Sequence, residues 1–215
     1  MELHLGHNNL LYMKNWLPDT IVLEGENVQL LPLQERHFDA LFEAASNPEI
    51  WELTSVNYSD PAIFNHSNTT ALKDKEKGTV YPFVIVDKSS QKIIGTTRFL
   101  EISAADKKLE IGVTWIKKEF WGSTVNMECK YLLLQYCFEH LQLHRVQFRA
   151  KADNLRSRKA IEKIGGQLEG VFRKDKIEPN GNYRNTAFYS IIDTEWESTK
   201  AILIAKLAGN NFWQK

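Results

Sequence analysis

The stretch LEIGVTWIKKEFWGSTVNMECK, residues 109–130, changes texture halfway along. Leu109 to Ile116 are rich in β-branched and aromatic side chains and predict a strand. Residues 117–123 begin with three charged residues, include Gly122 and predict a loop. From Thr124 to residue 141 the sequence is dense in Leu, Met, Glu, Lys and Gln, the texture of a long helix. A helix entered this way presents N–H groups without intrahelical acceptors and about half a positive charge at its start. Gly122 lets the backbone approach closely, and Ser123 or Thr124 can cap the helix or bond an anion, so the junction predicts a phosphate cradle. Many junctions of this kind bind nothing.

Working outward, residues 81–86, 93–102 and 109–116 read as three strands joined by polar turns, an antiparallel meander. Residues 27–33 read as an earlier strand, followed by a helix over 35–46 that Pro48 stops. A second helix starts at Asp60-Pro61, with Pro at its first position, and ends before Gly78. After the long helix come a strand over 145–150, a helix over 154–164 closed by Gly165-Gly166, and a hairpin of residues 167–177 and 183–192 around Pro179-Asn180-Gly181-Asn182. Residues 198–207 can form a terminal helix. The order β-α-α-β-β-β-α-β-α-β-β predicts an α/β (α+β) domain with a mixed sheet of about seven strands. It divides as an extension over 1–20, a domain over 21–197 and a tail over 198–215.

The 215 residues, 43% of them apolar and 25% charged, suit one soluble domain. No apolar run reaches the roughly 20 residues of a membrane helix, and the N-terminus lacks the pattern of a secretory signal. Met13 is an alternative start. Cys129 and Cys137 fall on one helix about 12 Å apart in rise, too far for a disulfide, which points to reduced thiols and a cytoplasmic location. Cys137, His140 and His144 share a helix face, but no fourth ligand accompanies them, so no metal is expected. The zero net charge hides a polarity: residues 1–60 hold ten acids and two bases, and residues 145–176 hold ten bases and four acids. The basic region suggests an anionic ligand and the acidic one a cationic partner; scattered solvated charge is the plain alternative.

Three ordered segments resemble one family. Residues 109–134 are similar to the acetyl-CoA motif of the GNAT superfamily, and more narrowly to its RimJ/RimL branch of ribosomal-protein N-terminal acetyltransferases. Residues 153–165, DNLRSRKAIEKIG, resemble that branch's next motif, and Glu169–Arg173 with Tyr183–Ile192 resemble its closing hairpin. The likeness runs from about residue 22 to 196. It departs from the usual Arg/Gln-x-x-Gly-x-Gly/Ala loop: Trp121, Thr124 and Asn126 stand at the Arg/Gln and glycine positions. The branch uses an Asn-x-Glu-x-Lys variant, matched here by Asn126, Glu128 and Lys130.

The resemblance implies an acetyl-CoA-dependent N-acetyltransferase acting on a primary amine of a protein N-terminus or small molecule. It places Glu110 as the base that accepts the amine proton; the alternative is a strand carboxylate facing solvent. Ser157 becomes the proton donor to the departing thiolate, with Tyr189 as second candidate or simply a buried sheet tyrosine. Thr114, Trp115 and Ile116 would offer backbone groups to the pantetheine arm. Trp121, Gly122, Ser123, Thr124, Val125 and Asn126 would surround the pyrophosphate. Asn154 would reach the pantetheine, act as a plain helix N-cap, or do both. Arg158, with Arg156 and Lys159, would meet the phosphoadenosine end or form a solvated face. Glu128 and Lys130 would orient the loop or acceptor, or sit on the helix surface. The family's acceptor wall falls in the acidic region, so a cationic acceptor is expected, on a monomer or homodimer. The rivals are an inactive GNAT-fold scaffold and, more weakly, a nucleic-acid-binding module, for which no motif is present.

Overall fold

The computed structural model describes residues 16–179 and 181–210. Most of the predicted N-terminal extension, including Met13, falls outside these residues, as do Asn180 of the hairpin turn and residues 211–215. Eight strands form one sheet: β1 Leu23–Glu24, β2 Val28–Pro32, β3 Tyr81–Asp87, β4 Lys92–Ser103, β5 Lys108–Ile116, β6 Arg145–Lys151, β7 Gln167–Ile177 and β8 Tyr183–Ile192. Their order is β1-β2-β3-β4-β5-β6-β8-β7. All neighbours are antiparallel except β5 and β6. The sheet is mixed, as the strand–helix–strand unit requires. It has one strand more than expected because β1 has only two residues, too few to leave a period in the sequence.

Five helices cover it: α1 Phe38–Ala45, α2 Pro61–Glu76, α3 Val125–Gln135, α4 Leu155–Lys163 and α5 Asp193–Asn210. One core cluster joins Leu41, Ala45, Phe64, Val84 and Trp115, uniting α1 and α2 with one face of the sheet. The other joins Phe83, Phe99, Ile111, Leu133, Cys137, Phe148, Tyr189 and Leu203 on the opposite face, beneath α3 and α5. The β6 residues Val146, Phe148 and Ala150 are buried while Arg145, Gln147, Arg149 and Lys151 alternate with them at half-burial, so the latter share the α1–α2 face.

The helix boundaries follow local chemistry where that chemistry is strong. Asp60 Oδ1 accepts from the N–H groups of Ala62 and Ile63, and Pro61 follows at the first helical position. Gly78 adopts φ 75°, the left-handed conformation that ends a helix. Two boundaries differ from expectation. The long helix stops being α at Gln135 and closes in a π turn, Tyr136–His140, where Leu141 N–H donates to Tyr136 O. The terminal helix begins at Asp193 rather than 198, directly after β8, because acids satisfy its start: Asp193 Oδ1 accepts from Thr194 N–H and Glu195 Oε2 from Ile192 N–H. Trp196, Thr199 and Leu203 bury its inner face, so this helix is packed against the sheet domain.

Glu128 is buried on α3, not on the helix surface. Its carboxylate accepts from the Asn27 N–H at 2.9 Å and from Asn27 Nδ2 at 3.0 Å, tying the β1–β2 turn to the helix. Cys129 and Cys137 are buried free thiols. His140 stacks on Tyr136, and His144 Nδ1 lies 2.7 Å from Asp193 Oδ2. No helix among the described residues is long and apolar enough to cross a membrane.

Candidate functional site

The strands β5 and β6 pair only over Lys108–Glu110 and Arg145–Gln147. Beyond Glu110, β5 continues with β4 alone and β6 with β8 alone. The sheet therefore parts into a notch that opens toward the end of β5 and the start of α3. At the same point β5 bulges. Thr96 pairs with Trp115 and Arg98 with Gly112, so three steps on β5 oppose two on β4. Val113 absorbs the extra residue at φ 47°, a costly conformation for a β-branched side chain.

Glu110 sits at the fork and is buried, 4% exposed, rather than facing solvent. Its Oε2 is 2.5 Å from Arg149 Nε and accepts from Gln147 Nε2 at 3.2 Å. Arg149 also reaches Glu101 Oε1 at 2.6 Å, which clamps the carboxylate between strands. Burial raises the Glu110 pKa, and the Arg149 charge only partly offsets it. The other oxygen, Oε1, faces Gly112, where a Cβ would stand 2.9 Å from it. Glycine thus keeps open the space beside the one carboxylate oxygen that Arg149 and Gln147 do not hold.

Lys130 is the largest departure from expectation. It is buried, 6% exposed, and its Nζ donates to Thr114 Oγ1 at 2.6 Å; Thr114 Oγ1 is 2.8 Å from Thr97 Oγ1. The ammonium lies 5.9 Å from the Phe148 ring centroid. Burial brings its pKa down from 10.5 to about 8. The folded chain therefore releases this proton at lower pH than the unfolded chain. The cost of burying the charge is full below about pH 8 and disappears as pH rises to 10.5. The stability of the parent relative to Lys130→Met is expected to rise by about 3 kcal/mol between pH 7 and 10.5, read from urea midpoints. Parallel pH profiles for the two would contradict a buried amine.

The loop places its residues in mixed roles. Gly122 holds φ 78° with nothing within 4 Å of an added Cβ. Ser123 Oγ donates to Phe120 O at 2.6 Å and accepts from Val125 N–H at 3.3 Å, so its hydroxyl shapes the turn. Val125 is core. Thr124 and Asn126 are half-buried, and their side chains have no hydrogen-bond partner among the described residues. Trp121 donates its indole N–H to Ile116 O at 3.1 Å, and Arg156 stacks 4.0 Å from its ring centroid. The Arg156 contact brings the start of α4 to the loop. The Trp115 side chain is core, 5.2 Å from Trp51, and Ile116 packs on the opposite face.

On α4, Asn154 is the N-cap: Oδ1 accepts from Ser157 N–H at 2.9 Å, and Nδ2 donates to Leu53 O at 2.9 Å. The N-cap reading of Asn154 is realised. Ser157 is half-buried, with its hydroxyl unpartnered among the described residues. Arg158 bonds Tyr189 Oη at 2.8 Å and Ala152 O at 3.0 Å, and Tyr189 Oη in turn donates to Glu162 at 2.8 Å. That hydroxyl is fully buried and occupied, the structural alternative for Tyr189. Three bases of the basic region pair with carboxylates: Arg145 with Glu169, Arg149 with Glu110 and Glu101, and Lys151 with Glu178.

Sequence reasoning passed over Arg149, Gln147 and Arg98. Arg98 on β4 is buried and lines a cavity of about 540 Å³ with Val56, Tyr58, Ile63, His66 and Thr70. None of the nine described acids of residues 16–60 is in that lining.

The parted parallel pair, the bulge beside it and the helix that starts at the notch together call for comparison with known proteins. The family model for the acetyltransferase (GNAT) domain matches residues 27–167. The chain belongs to the GNAT acetyltransferase family. It is 35% identical over 108 residues to a Bacillus subtilis protein named "Putative ribosomal N-acetyltransferase YdaF", an alignment covering 50% of this chain and 58% of that one. The structure of a GCN5-related N-acetyltransferase from Brucella melitensis is 29% identical and covers 90% of this chain and 88% of its own, with a TM-score of 0.81. Mycobacterium smegmatis RimJ, solved in complex with CoA-disulfide, is alike in fold: 21% identity, 89% of this chain and 96% of its own, TM-score 0.72. These likenesses agree with the RimJ/RimL branch read from the GNAT motifs.

Proposed function

We propose that this GNAT chain is an acetyl-CoA-dependent N-acetyltransferase that acylates a primary amine of a protein N-terminus or small molecule. The observation that carries the reading is the notch between β5 and β6, with a buried glutamate at its fork and a helix N-terminus at its mouth. Acetyl-CoA would supply an activated acetyl thioester. The bulged segment Val113–Ile116 would offer backbone groups to its pantetheine arm, as strand edges do for extended ligands. The first-turn N–H groups of α3, with Gly122, Thr124 and Asn126, would meet its pyrophosphate. Trp121, Ser123, Val125, Asn154 and Arg158 would act by holding this loop and the start of α4 in place.

Glu110 is suited to take a proton from the amine. Its raised pKa brings it nearer neutrality, and Oε1 faces the space kept open by Gly112. Ser157, with a free hydroxyl one turn into α4, is suited to return a proton to the departing thiolate. The reaction needs no metal in this reading, and the site suits a cytoplasmic enzyme that meets acetyl-CoA. Incubation with acetyl-CoA and a panel of amines is expected to yield free thiol and acetylated amine in equal amounts, read by thiol titration and mass spectrometry. Acetyl-CoA left intact, with neither thiol released nor any amine acetylated, would sink the reading and leave the scaffold.

A further inference from the structure

The cavity between α2 and β4 has a feature that the transfer chemistry does not use. Arg98 is 7% exposed, yet no carboxylate among the described residues pairs with it. Its guanidinium donates to neutral groups only: Ser67 O at 3.4 Å, Ser67 Oγ at 3.1 Å and Asn68 Oδ1 at 3.0 Å. Its Nε–H is buried and has no acceptor among the described residues. Burying a charge without a counterion costs several kcal/mol, about as much again as a lost charged hydrogen bond. Burial accordingly lowers the Arg98 pKa. A protein that holds such a group at the wall of a cavity gains when an anion enters.

The cavity has the size of a small-molecule site, about 540 Å³. Val56, Ala62 and Ile63 give it apolar wall, while Tyr58, His66, Ser67 and Thr70 supply polar groups. Its position ties it to the transfer site. Arg98 is the register partner of Gly112, and Gly112 lies against Glu110 Oε1. Directly opposed strand residues hold their Cβ positions about 5 Å apart. Arg98 therefore stands beside Gly112, one same-face step along the sheet from Glu110, and a bifunctional molecule reaching from the cavity to Glu110 would meet both side chains.

We infer that Arg98 binds the carboxylate of the acceptor, and that the acceptor is a small amine carrying its own carboxylate, an amino acid or short peptide. The inference rests on the proposed transfer at Glu110 and reverses the cationic acceptor suggested by the acidic first third of the sequence. The described acids of that region are absent from the cavity lining, and two of them are paired, Glu49 with Lys118 and Glu24 with Lys88.

The test compares amino acids with their carboxamides as acceptors, with rates expressed per free amine so that the different ammonium pKa values cancel. The parent enzyme is expected to favour the carboxylate in kcat/KM by at least about 10-fold, the scale of one buried charged hydrogen bond. Arg98→Gln is expected to bring the ratio near one. Because Arg98→Gln alters a buried site, Ile63→Glu is the second variant. Ile63 lines the cavity but is 41% exposed, so an acid there is tolerated and competes for Arg98. It should also collapse the ratio. A parent ratio at or below one, or a ratio untouched in Ile63→Glu, overturns the inference. If no amine is acetylated at all, the transfer reading fails separately. Calorimetric titration with N-acetylalanine and its carboxamide then decides the anion site: binding of the acid alone supports it, and equal or no binding overturns it.

Discussion

Replacing Glu110 by glutamine is expected to lower kcat by about 100-fold, with the affinity for acetyl-CoA changed by less than about twofold. Glutamine keeps the shape and can still meet Arg149 and Gln147 through its carbonyl oxygen, but it cannot accept the amine proton. Arg149 retains Glu101, so the strand clamp survives in part. The pH profile separates a chemical role from a structural one. Burial raises the Glu110 pKa, so in the parent the acid limb of kcat lies above the ordinary carboxylate range. Activity falls as pH is lowered through that value because the base is then protonated. In Glu110→Gln this limb should vanish along with the rate. A variant with parental kcat would remove Glu110 from the chemistry, leaving it as a structural partner of Arg149.

The largest stability effect is expected at Gly95. A Cβ there would stand 2.2 Å from Trp115 O and 2.9 Å from Ile116 Cα, both backbone atoms. No rotamer change relieves such a contact; the strands must separate. Gly95→Ala is expected to cost about 3 kcal/mol and lower Tm by roughly 6–12 °C. Gly95 pairs with Ile116 at the end of β5, just beyond the bulge. Acetyl-CoA affinity should therefore fall together with stability. Gly170→Ala, with nothing within 4 Å, is the control and should change neither. Equal melting of the two variants would mean that β4 and β5 do not approach as closely as this register requires.

Much of the fold was legible because its signals are local. Asp60-Pro61 starts α2 and Gly78 ends it through groups within a few residues of each other. The two-residue β1, the π turn and the parting of β5 from β6 are decided by packing between distant segments, and a periodicity cannot carry them. The site divides in the same way. Asn154 caps its helix, a reading available from its place before α4. Lys130 was harder, because a helix lysine ordinarily solvates its charge. The sign was present in its neighbours: Met127 and Leu134, three residues before and four after, are both buried, so Lys130 shares an apolar stripe. Arg98 likewise lies within an apolar strand that is covered on both faces, which only the placement of α2 reveals. The charge polarity of the sequence misled in part, since Arg145, Arg149 and Lys151 of the basic region are consumed by pairs with carboxylates.

The central claim, that the notch between β5 and β6 and the start of α3 receive acetyl-CoA, is tested most directly by amide hydrogen exchange with and without acetyl-CoA. Protection is expected over residues 113–116 and 122–127 and at the start of α4, with β1, β2 and the β7–β8 turn unchanged. Protection confined to other elements, or none at saturating acetyl-CoA, would contradict it.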